Sequence, residues 1–370
     1  MNARSARDFD FILLLSSAAL VAFGTLLIYS GSLTTYGELT ASLSHPVVRQ
    51  VAFAAVGIAL SILLARLDYR ALGAVSMGLY VAAVAALLFV LVVGESTYGS
   101  RRWVVLGDTQ VQPSEVAKLV VIIVLAKYLA DRHERLHDPR VFLTSLGLVA
   151  VPTALVFAQP DLGSAVIFVA IWLSMVMIAG VRPAHVLGLL GAGLVSVPFV
   201  FLAFVSDYQR ERIALWLDPA SDSLGSGFNI LQAEISIGSG GILGKGLTQG
   251  SQTQLDYLRT QTTDYVFSVL GEELGLLGAL VLFGLFIILL FRGMRVASIS
   301  QDMFGRLMAT GIVVFIVLQV FINVGMNLQL VPVTGIPLPF ISQGGSSLIT
   351  LFIALGILQS IVVHHRRFMF

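Results

Sequence analysis

Long apolar stretches dominate the chain, and each is about as long as a membrane is thick. Stretches of about 20 residues can cross a hydrocarbon core of roughly 30 Å as helices. Their apolar residues run continuously rather than alternating with a period of two, which argues against a β-barrel. We therefore predict an all-α polytopic membrane protein with about ten transmembrane helices. The predicted spans are residues 11–30, 47–65, 71–93, 114–130, 141–158, 163–180, 184–205, 265–291, 307–328 and 345–363.

Composition agrees with this pattern. Of 370 residues, 57% are hydrophobic and only 12% are charged, and the mean hydropathy is +0.91, which excludes a soluble globular protein. The chain has no cysteine, so disulfides, thiolate metal sites and cysteine nucleophiles are excluded. Arg4 and Arg7 precede an apolar stretch that is too long for a typical signal-peptide core, so we expect the first span to remain.

The distribution of basic residues predicts the orientation. With the N-terminus inside, 14 of the 22 Lys and Arg residues fall in inner segments, most of them in short connections, where the positive-inside rule applies. Both termini are therefore expected in the cytoplasm. We treat residues 1–370 as a single membrane domain with one large extracytoplasmic loop, at about 206–263, between spans 7 and 8. In this loop Phe228, Leu231 and Ile235 occur at i, i+3 and i+7, which predicts a short helix lying in the interface.

Asp264 stands where the long loop enters the eighth span, within reach of water and of lipid headgroups. Charge at membrane depth is costly, so each such residue suggests a function. An acid after two threonines at a helix start could equally be an ordinary cap, and on this residue alone capping and catalysis remain open. Glu272 and Glu273 lie about two turns further in, and we expect them to be structural rather than catalytic.

Glu115 and Lys118 are three residues apart in the fourth span, so their side chains share a helix face. A lysine inside an apolar span needs an anionic partner, which could be Glu115, Asp161 in the next outer turn, or a phosphate. On spacing alone, a structural ion pair that holds spans together is the favoured interpretation.

Several outer basic residues could bind phosphate. Arg101 and Arg102 beside Trp103 could instead anchor the chain at the membrane interface, and Arg210 at the start of the long loop has the same two interpretations. Lys245 lies in a glycine-rich stretch, 241–246, that looks like a phosphate loop. This stretch lacks the required Ser or Thr and lies on the side away from ATP. Its glycines permit positive φ angles and close backbone approach.

Taken together, these segments resemble the SEDS family of bacterial cell-wall polymerases, whose members include RodA and FtsW. The resemblance covers about residues 10–365 and runs in order through seven motifs. The segment 333–340 is closer to the RodA, or elongation, branch. The motifs are Arg101-Arg102-Trp103, Gln112-Pro113-Ser114-Glu115-Val116-Ala117-Lys118, Gln159-Pro160-Asp161-Leu162-Gly163, Asp207-Tyr208-Gln209-Arg210, Gly238-Ser239-Gly240-Gly241 with Gly244-Lys245-Gly246, Thr263-Asp264-Tyr265-Val266-Phe267 with Gly271-Glu272-Glu273-Leu274-Gly275, and Gly344-Gly345-Ser346-Ser347.

The resemblance implies a peptidoglycan glycosyltransferase of the bacterial cytoplasmic membrane. Such an enzyme polymerises lipid II into β-1,4-linked glycan on the outer face during cell elongation and shape maintenance. Asp264 would be the catalytic residue, as a base or as a ligand of a divalent cation such as Mg²⁺ or Mn²⁺, without an organic cofactor. Implied partners are a class B penicillin-binding protein (a transpeptidase) and other elongation-complex membrane proteins, with no nucleic acid. The candidate phosphate-binding or site-supporting residues are Arg101, Glu115, Lys118, Asp161, Arg210 and Lys245.

The chain departs from the family pattern at two places. Members usually have a Pro-Glu-x-His-Thr-Asp run before the catalytic acid, where this chain reads Arg-Thr-Gln-Thr-Thr-Asp at 259–264, with Thr262 at the histidine position. Members also commonly have tyrosine where this chain has Gln343. Any supporting role of the missing histidine is therefore in question.

Two other functions remain as alternatives. A lipid II flippase or other polytopic transporter predicts key charges near the bilayer midplane and in discontinuous helices. A non-catalytic scaffold of the cell-wall synthesis complex predicts that Asp264 is dispensable. The unusual residues cluster at one face of the predicted membrane domain, which favours the enzyme.

Overall fold

The computed structural model describes residues 9–37, 39–40, 42, 44–97, 100–106, 109–222 and 225–364. Apart from two short 3₁₀ turns and one small sheet, its regular structure is α-helical. The helices are α1 (Phe11–Tyr36), α2 (Pro46–Arg66), α3 (Arg70–Val93), α4 (Pro113–Asp131), α5 (Pro139–Ala158), α6 (Leu162–Ala179), α7 (Pro183–Phe204), α8 (Asp207–Leu217), α9 (Ser226–Gly240), α10 (Ser251–Gln254), α11 (Val266–Ile299), α12 (Met303–Asn327) and α13 (Gly345–His364).

Each of the ten predicted spans coincides with a helix. Within the described ranges, eight helices are long and apolar enough to cross a membrane, namely α1, α2, α3, α5, α6, α11, α12 and α13. Of the other two, α4 carries Glu115, Lys118 and Lys127 within its apolar length, and α7 is continuously apolar. The predicted all-α polytopic fold is confirmed.

The last two helices form the centre of the bundle. In its most apolar window α13 is 78% buried and α12 is 67% buried, against 17% for α3, which therefore lies at the periphery. Small residues let α13 and the segment before it approach their neighbours closely. A Cβ at Gly57 of α2 would lie 2.5 Å from the Phe352 ring, and one at Gly24 of α1 would lie 2.5 Å from the Ile341 backbone.

Polar contacts tie three helices together at the end of the bundle where the chain begins and ends. The Asp10 amide donates to Gln359 Oε1 (3.0 Å), and Gln359 Nε2 donates to the Asp10 carbonyl (2.7 Å). Arg292 of α11 lies 2.6 Å from the Asp10 carboxylate. The start of α1 and the end of α13 therefore meet at one end, as two cytoplasmic termini require.

A small antiparallel sheet connects α3 to α4 at the opposite end. Its strands are β1 (Glu95–Thr97), β2 (Ser100–Leu106) and β3 (Thr109–Val111), in the order β1-β2-β3. Val104 of β2 pairs with Val111 of β3. This sheet was not predicted, and it carries Arg102 on its central strand.

The long outer loop contains the predicted short helix. Helix α9 spans the segment around Phe228, so the prediction of a helix there is confirmed. The face it buries against α11 is made of small residues with Ile230, whereas Ile235 of the predicted apolar face is 48% exposed. The helix therefore packs against α11 mainly through small residues, and Ile237 also lies against Gly271 of α11. The buried positions are Gly227, Ile230, Ala233, Ser236 and Gly240.

Helix α11 is discontinuous. Gly275 has φ +62° and ψ −157°, about two and a half turns from the helix start. The glycine-rich stretch 241–246 fills the break, with positive φ at three of its glycines, where a side chain would be strained. Peptide groups freed at membrane depth are thereby paired inside the protein. Four backbone bonds do this, from Lys245 N to Glu272 O (3.0 Å), Gly246 N to Glu273 O (2.9 Å), Leu276 N to Gly241 O (3.0 Å) and Leu277 N to Ile242 O (3.1 Å).

Candidate active site

The backbone at Asp264 is held by helix α12. Asn323 and Asn327 are one turn apart, so they share a face, and both donate from Nδ2 to the Asp264 carbonyl, at 3.2 and 3.0 Å. Asn327 is itself oriented by Ser268, whose hydroxyl donates to Asn327 Oδ1 at 2.6 Å. The start of α11 is therefore fixed to α12, and the partly exposed carboxylate of Asp264 projects from a rigid support.

Arg102 of β2 reaches the same place from the sheet. Its Nη1 donates to the Thr334 carbonyl at 3.4 Å. A Cβ added at Gly335 would lie 3.0 Å from Arg102 Nη2 and 3.6 Å from Asp264 Oδ2, so the backbone of Gly335 lies against both groups. With φ +72°, Gly335 also needs the conformational freedom of glycine.

Arg212 of α8 reaches the site from the long loop. Its Nη1 donates to the Val333 carbonyl at 2.6 Å, and its guanidinium lies 4.6 Å from the centre of the Tyr208 ring. Two carbonyls of one loop, residues 333 and 334, thus position the two arginines.

Burial and the neighbouring charges have opposite effects on the pKa of the Asp264 carboxyl group. Burial raises the pKa of Asp264, because the charged form loses water, while Arg102 and Arg212 lower it by attraction. A carboxylate with a raised pKa that is still flanked by cations can accept a proton, which is the requirement for a general base.

Asp161 lies on the other side of Arg102. It caps α6, accepting from Ser164 N at 3.0 Å, and it accepts from Gln112 Nε2 at 3.2 Å. Arg102 Nη1 lies 3.9 Å from Asp161 Oδ1, so one guanidinium interacts with two carboxylates. Among the residues that the structure describes, the buried Nε of Arg102 has no hydrogen-bond partner, and it remains a donor for an anion. The prediction that Asp161 supports the site agrees with this geometry.

Glu115 and Lys118 form a buried ion pair away from this cluster. Lys118 Nζ lies 2.6 Å from Glu115 Oε1, and both side chains are at most 1% exposed. Gln319 of α12 donates to Glu115 Oε2 at 3.1 Å, and the ammonium lies 5.1 Å from the centre of the Phe315 ring. Of the three partners open to Lys118 on sequence grounds, the structure therefore shows Glu115. The pair joins α4 to α12, the helix whose asparagines hold Asp264.

Lys245 also interacts elsewhere. Its Nζ lies 2.7 Å from Glu272 Oε1 and 2.8 Å from Ser251 Oγ. Glu272 accepts further bonds from the backbone of 252 and 253, and Ser30 donates to Glu273 Oε1 at 2.5 Å. These contacts fit the expected structural role of both glutamates, and they place Lys245 at the helix break rather than at Asp264.

Two predicted arginines are not the ones seen beside Asp264. Arg210 forms its ion pair with Asp207 of the same helix, at 4.0 Å, and the side chain of Arg101 lies outside the described residues. Arg212 was not predicted. It lies two residues after Arg210 on the same helix, and residues two apart do not face the same way, so helical spacing separates the two arginines. Arg102 was passed over for its neighbour, and only the alternation along a predicted strand could have separated the two.

Comparisons with known proteins extend over nearly the whole chain. The family model FTSW_RODA_SPOVE, described as cell cycle protein, matches residues 11–367. Peptidoglycan glycosyltransferase MrdB of Escherichia coli is 37% identical over 361 residues, which is 96% of this chain and 94% of that protein.

Two solved structures are similar in fold. A protein solved in a study of how a peptidoglycan synthase complex coordinates polymerization and crosslinking is 34% identical, with a TM-score of 0.81, covering 97% of this chain and 99% of that one. An aspartate-to-alanine variant of the Rod shape determining protein RodA of Thermus thermophilus is 29% identical, with a TM-score of 0.72 and the same coverage.

Proposed function

This chain belongs to the FtsW, RodA and SpoVE family of cell cycle proteins, and we propose that it polymerises lipid II with Asp264 as its catalytic carboxylate. It is a peptidoglycan glycosyltransferase and a multi-pass protein of the bacterial cytoplasmic membrane. One observation carries the catalytic proposal. Two arginines from separate elements, β2 and α8, converge on Asp264 at the outer end of the bundle.

The reaction joins an acceptor sugar hydroxyl to the anomeric carbon of a diphosphate-linked donor. As the new C–O bond forms, the hydroxyl proton passes to the Asp264 carboxylate. The hydroxyl attacks the face opposite the diphosphate, the bond between the anomeric carbon and the diphosphate breaks, and its electron pair leaves with the phosphate oxygen. The configuration therefore inverts to a β-1,4 linkage. Diphosphate is a good leaving group that needs no proton, so one carboxylate is enough, unlike the pair used by glycosidases.

Arg102 and Arg212 supply positive charge where the diphosphate develops negative charge. Fixed cations act most strongly on charge that builds up in the transition state. A guanidinium also matches the geometry of phosphate oxygens through paired N–H donors. The side chain of Arg102 is only 11% exposed and is held in place by Thr334 and Asp161. It therefore needs little reorganisation to interact with the diphosphate.

A divalent cation would have Asp264 as its ligand from the protein. Among the described residues, no three His, Asp or Glu side chains are grouped closely enough to hold an ion. Mg²⁺ commonly binds through one or two carboxylates together with substrate phosphates and water, and the partly exposed Asp264 fits that arrangement. Such an ion, Mg²⁺ or Mn²⁺, would supply further positive charge to the diphosphate.

We also propose the partners and the cellular process. Since one similar structure comes from a complex that coordinates polymerization and crosslinking, we assign a class B penicillin-binding protein as the crosslinking partner, with other elongation-complex membrane proteins. The RodA-like segment 333–340 supports a role in elongation. Its carbonyls at 333 and 334 accept hydrogen bonds from Arg212 and Arg102.

A transporter is the second candidate, because the discontinuous helix α11 is a feature that transporters use at their binding sites. Here the break is filled by the chain's own glycine-rich stretch. Glu272, beside the break, already accepts bonds from Lys245 and from the backbone of 252 and 253. The break therefore has a structural explanation, and the enzyme is favoured.

The test of this function is lipid II polymerisation by the purified protein with its partner, whose transpeptidase is inactivated. We expect Asp264→Ala to lower the rate about 100-fold or more, the range that a positioned base contributes. Asp207→Ala, which removes a fully exposed outer carboxylate, is the control and should keep wild-type activity. A parallel reaction without Mg²⁺ and Mn²⁺ tests the cation and should be slower.

Two outcomes contradict the proposal. Equal polymer from Asp264→Ala and wild type removes the catalytic assignment. If the wild type makes no polymer, the transporter and scaffold functions become the alternatives. Lipid II flipping assays on the same preparation then distinguish between these two functions.

A further inference from the structure

Three consecutive carbonyls before α11 are held from outside their own segment. Besides the Asp264 carbonyl, the Thr262 carbonyl accepts from Gln343 N at 2.9 Å, and the Thr263 carbonyl accepts from Ser342 Oγ at 2.6 Å. Both donors lie in the loop that precedes α13. The segment 259–264 is therefore positioned by α12 on one side and by this loop on the other.

The segment needs this support because its own conformation is strained. Thr260 has φ +54°, which a β-branched residue rarely adopts. Its carbonyl accepts from the amides of Thr263 (3.0 Å), Asp264 (3.1 Å) and Tyr265 (3.4 Å), so the turn that carries Asp264 closes on the strained residue. Such strain persists only when surrounding contacts determine the conformation.

Thr262 and Gln343 also interact through their side chains. The Thr262 hydroxyl donates to Gln343 Oε1 at 2.9 Å, in addition to the backbone bond between the same two residues. The two residues are 81 positions apart in the sequence. Thr262 belongs to the departure from the family pattern at 259–264, and Gln343 is the other departure. One residue of each departure is thus a direct partner of the other in space.

We propose that Thr262 and Gln343 form a positioning pair that sets the turn carrying Asp264. The pair acts through the backbone of 262–264, because Gln343 N donates to the Thr262 carbonyl within this segment. The inference rests on the proposed function, because the turn matters to catalysis only if Asp264 is the base.

The experiment is a double-mutant cycle with Thr262→Val, Gln343→Met and the double variant. Val and Met keep the approximate size of each side chain and remove the side-chain hydrogen bond, while the backbone bond between the two residues remains. The matched control is Thr144→Val, which removes an exposed hydroxyl that donates to the Arg140 carbonyl of its own helix on the cytoplasmic side. Polymerisation kinetics are measured together with amide hydrogen exchange over residues 259–266, and unfolding temperatures identify any variant that fails to fold.

We expect each single variant to lower kcat about three- to tenfold with KM unchanged, the range of one hydrogen bond. Exchange in 259–266 should become faster, and the double variant should lose no more than the more affected single variant. Losses that multiply in the double variant, or single variants that match Thr144→Val, would overturn the pairing. If the wild type makes no polymer, the proposed function fails, and the exchange data decide on the pair by the same criteria.

Discussion

The carboxyl group of Asp264 has a pKa that burial raises and that two arginines lower. A base must be ionised to act, so polymerisation should be lost as the pH falls through this pKa, above the ordinary aspartate range. Arg102→Gln removes one of the lowering charges. We therefore expect the acidic limb of kcat/KM to move to higher pH in this variant, along with a lower maximum rate.

The measurement is the pH dependence of kcat/KM for wild type and Arg102→Gln. Arg132→Gln, at the cytoplasmic end of α4, is the control for loss of an arginine and should leave the profile in place. An acidic limb that stays in place or moves to lower pH in Arg102→Gln would mean that the observed titration does not belong to Asp264.

The buried pair Glu115 and Lys118 offers a prediction about stability. Lys118→Met leaves the Glu115 carboxylate buried without its partner, which typically costs 3–5 kcal/mol. The double variant Lys118→Met/Glu115→Gln removes both charges and should be more stable than Lys118→Met alone. Chemical unfolding in detergent measures this order. A Lys118→Met protein as stable as the wild type would contradict the structural role and reopen phosphate binding.

Among elements, helix α11 and the stretch 241–246 depend on each other. A Cβ at Gly244 would overlap the Glu273 carbonyl, and φ there is +77°, so Gly244→Ala should destabilise the protein by about 1–3 kcal/mol. Gly238→Ala is the matched control, because nothing lies within 4 Å of its Cβ. Alanine is the better helix former, so this control should be neutral or stabilising. Equal unfolding temperatures for the two variants would contradict the docking of this stretch in the break.

In the whole molecule, the candidate catalytic residues and the contacts that close the bundle lie at opposite ends. Asp264, Arg102 and Arg212 meet at the outer end of the bundle, close to the sheet and the long loop. The opposite end is closed by the contacts of Asp10 with Gln359 and Arg292. Between them the buried helices α12 and α13 carry few groups that could react with a substrate, and α12 links the ion pair of Glu115 to the backbone of Asp264.

From the sequence alone, the ten apolar helices and the orientation could be predicted, and Asp264 could be singled out as a candidate. Each of these predictions depends on local information. A span requires about 20 apolar residues, and a charged residue at membrane depth is costly and therefore stands out in the sequence. The spacing of Glu115 and Lys118 likewise fits within one helix.

Only the tertiary structure decided which basic groups surround Asp264. Nothing in the sequence marks Arg102 and Arg212 as neighbours of Asp264, because the strand and the helix that carry them lie far from Asp264 along the chain and meet it only in the folded protein. The same holds for the stretch 241–246, whose resemblance to a phosphate loop gave no hint that it fills a break in α11. Thr262 and Gln343 looked like two separate departures, because contacts between distant residues leave no local periodicity in the chain.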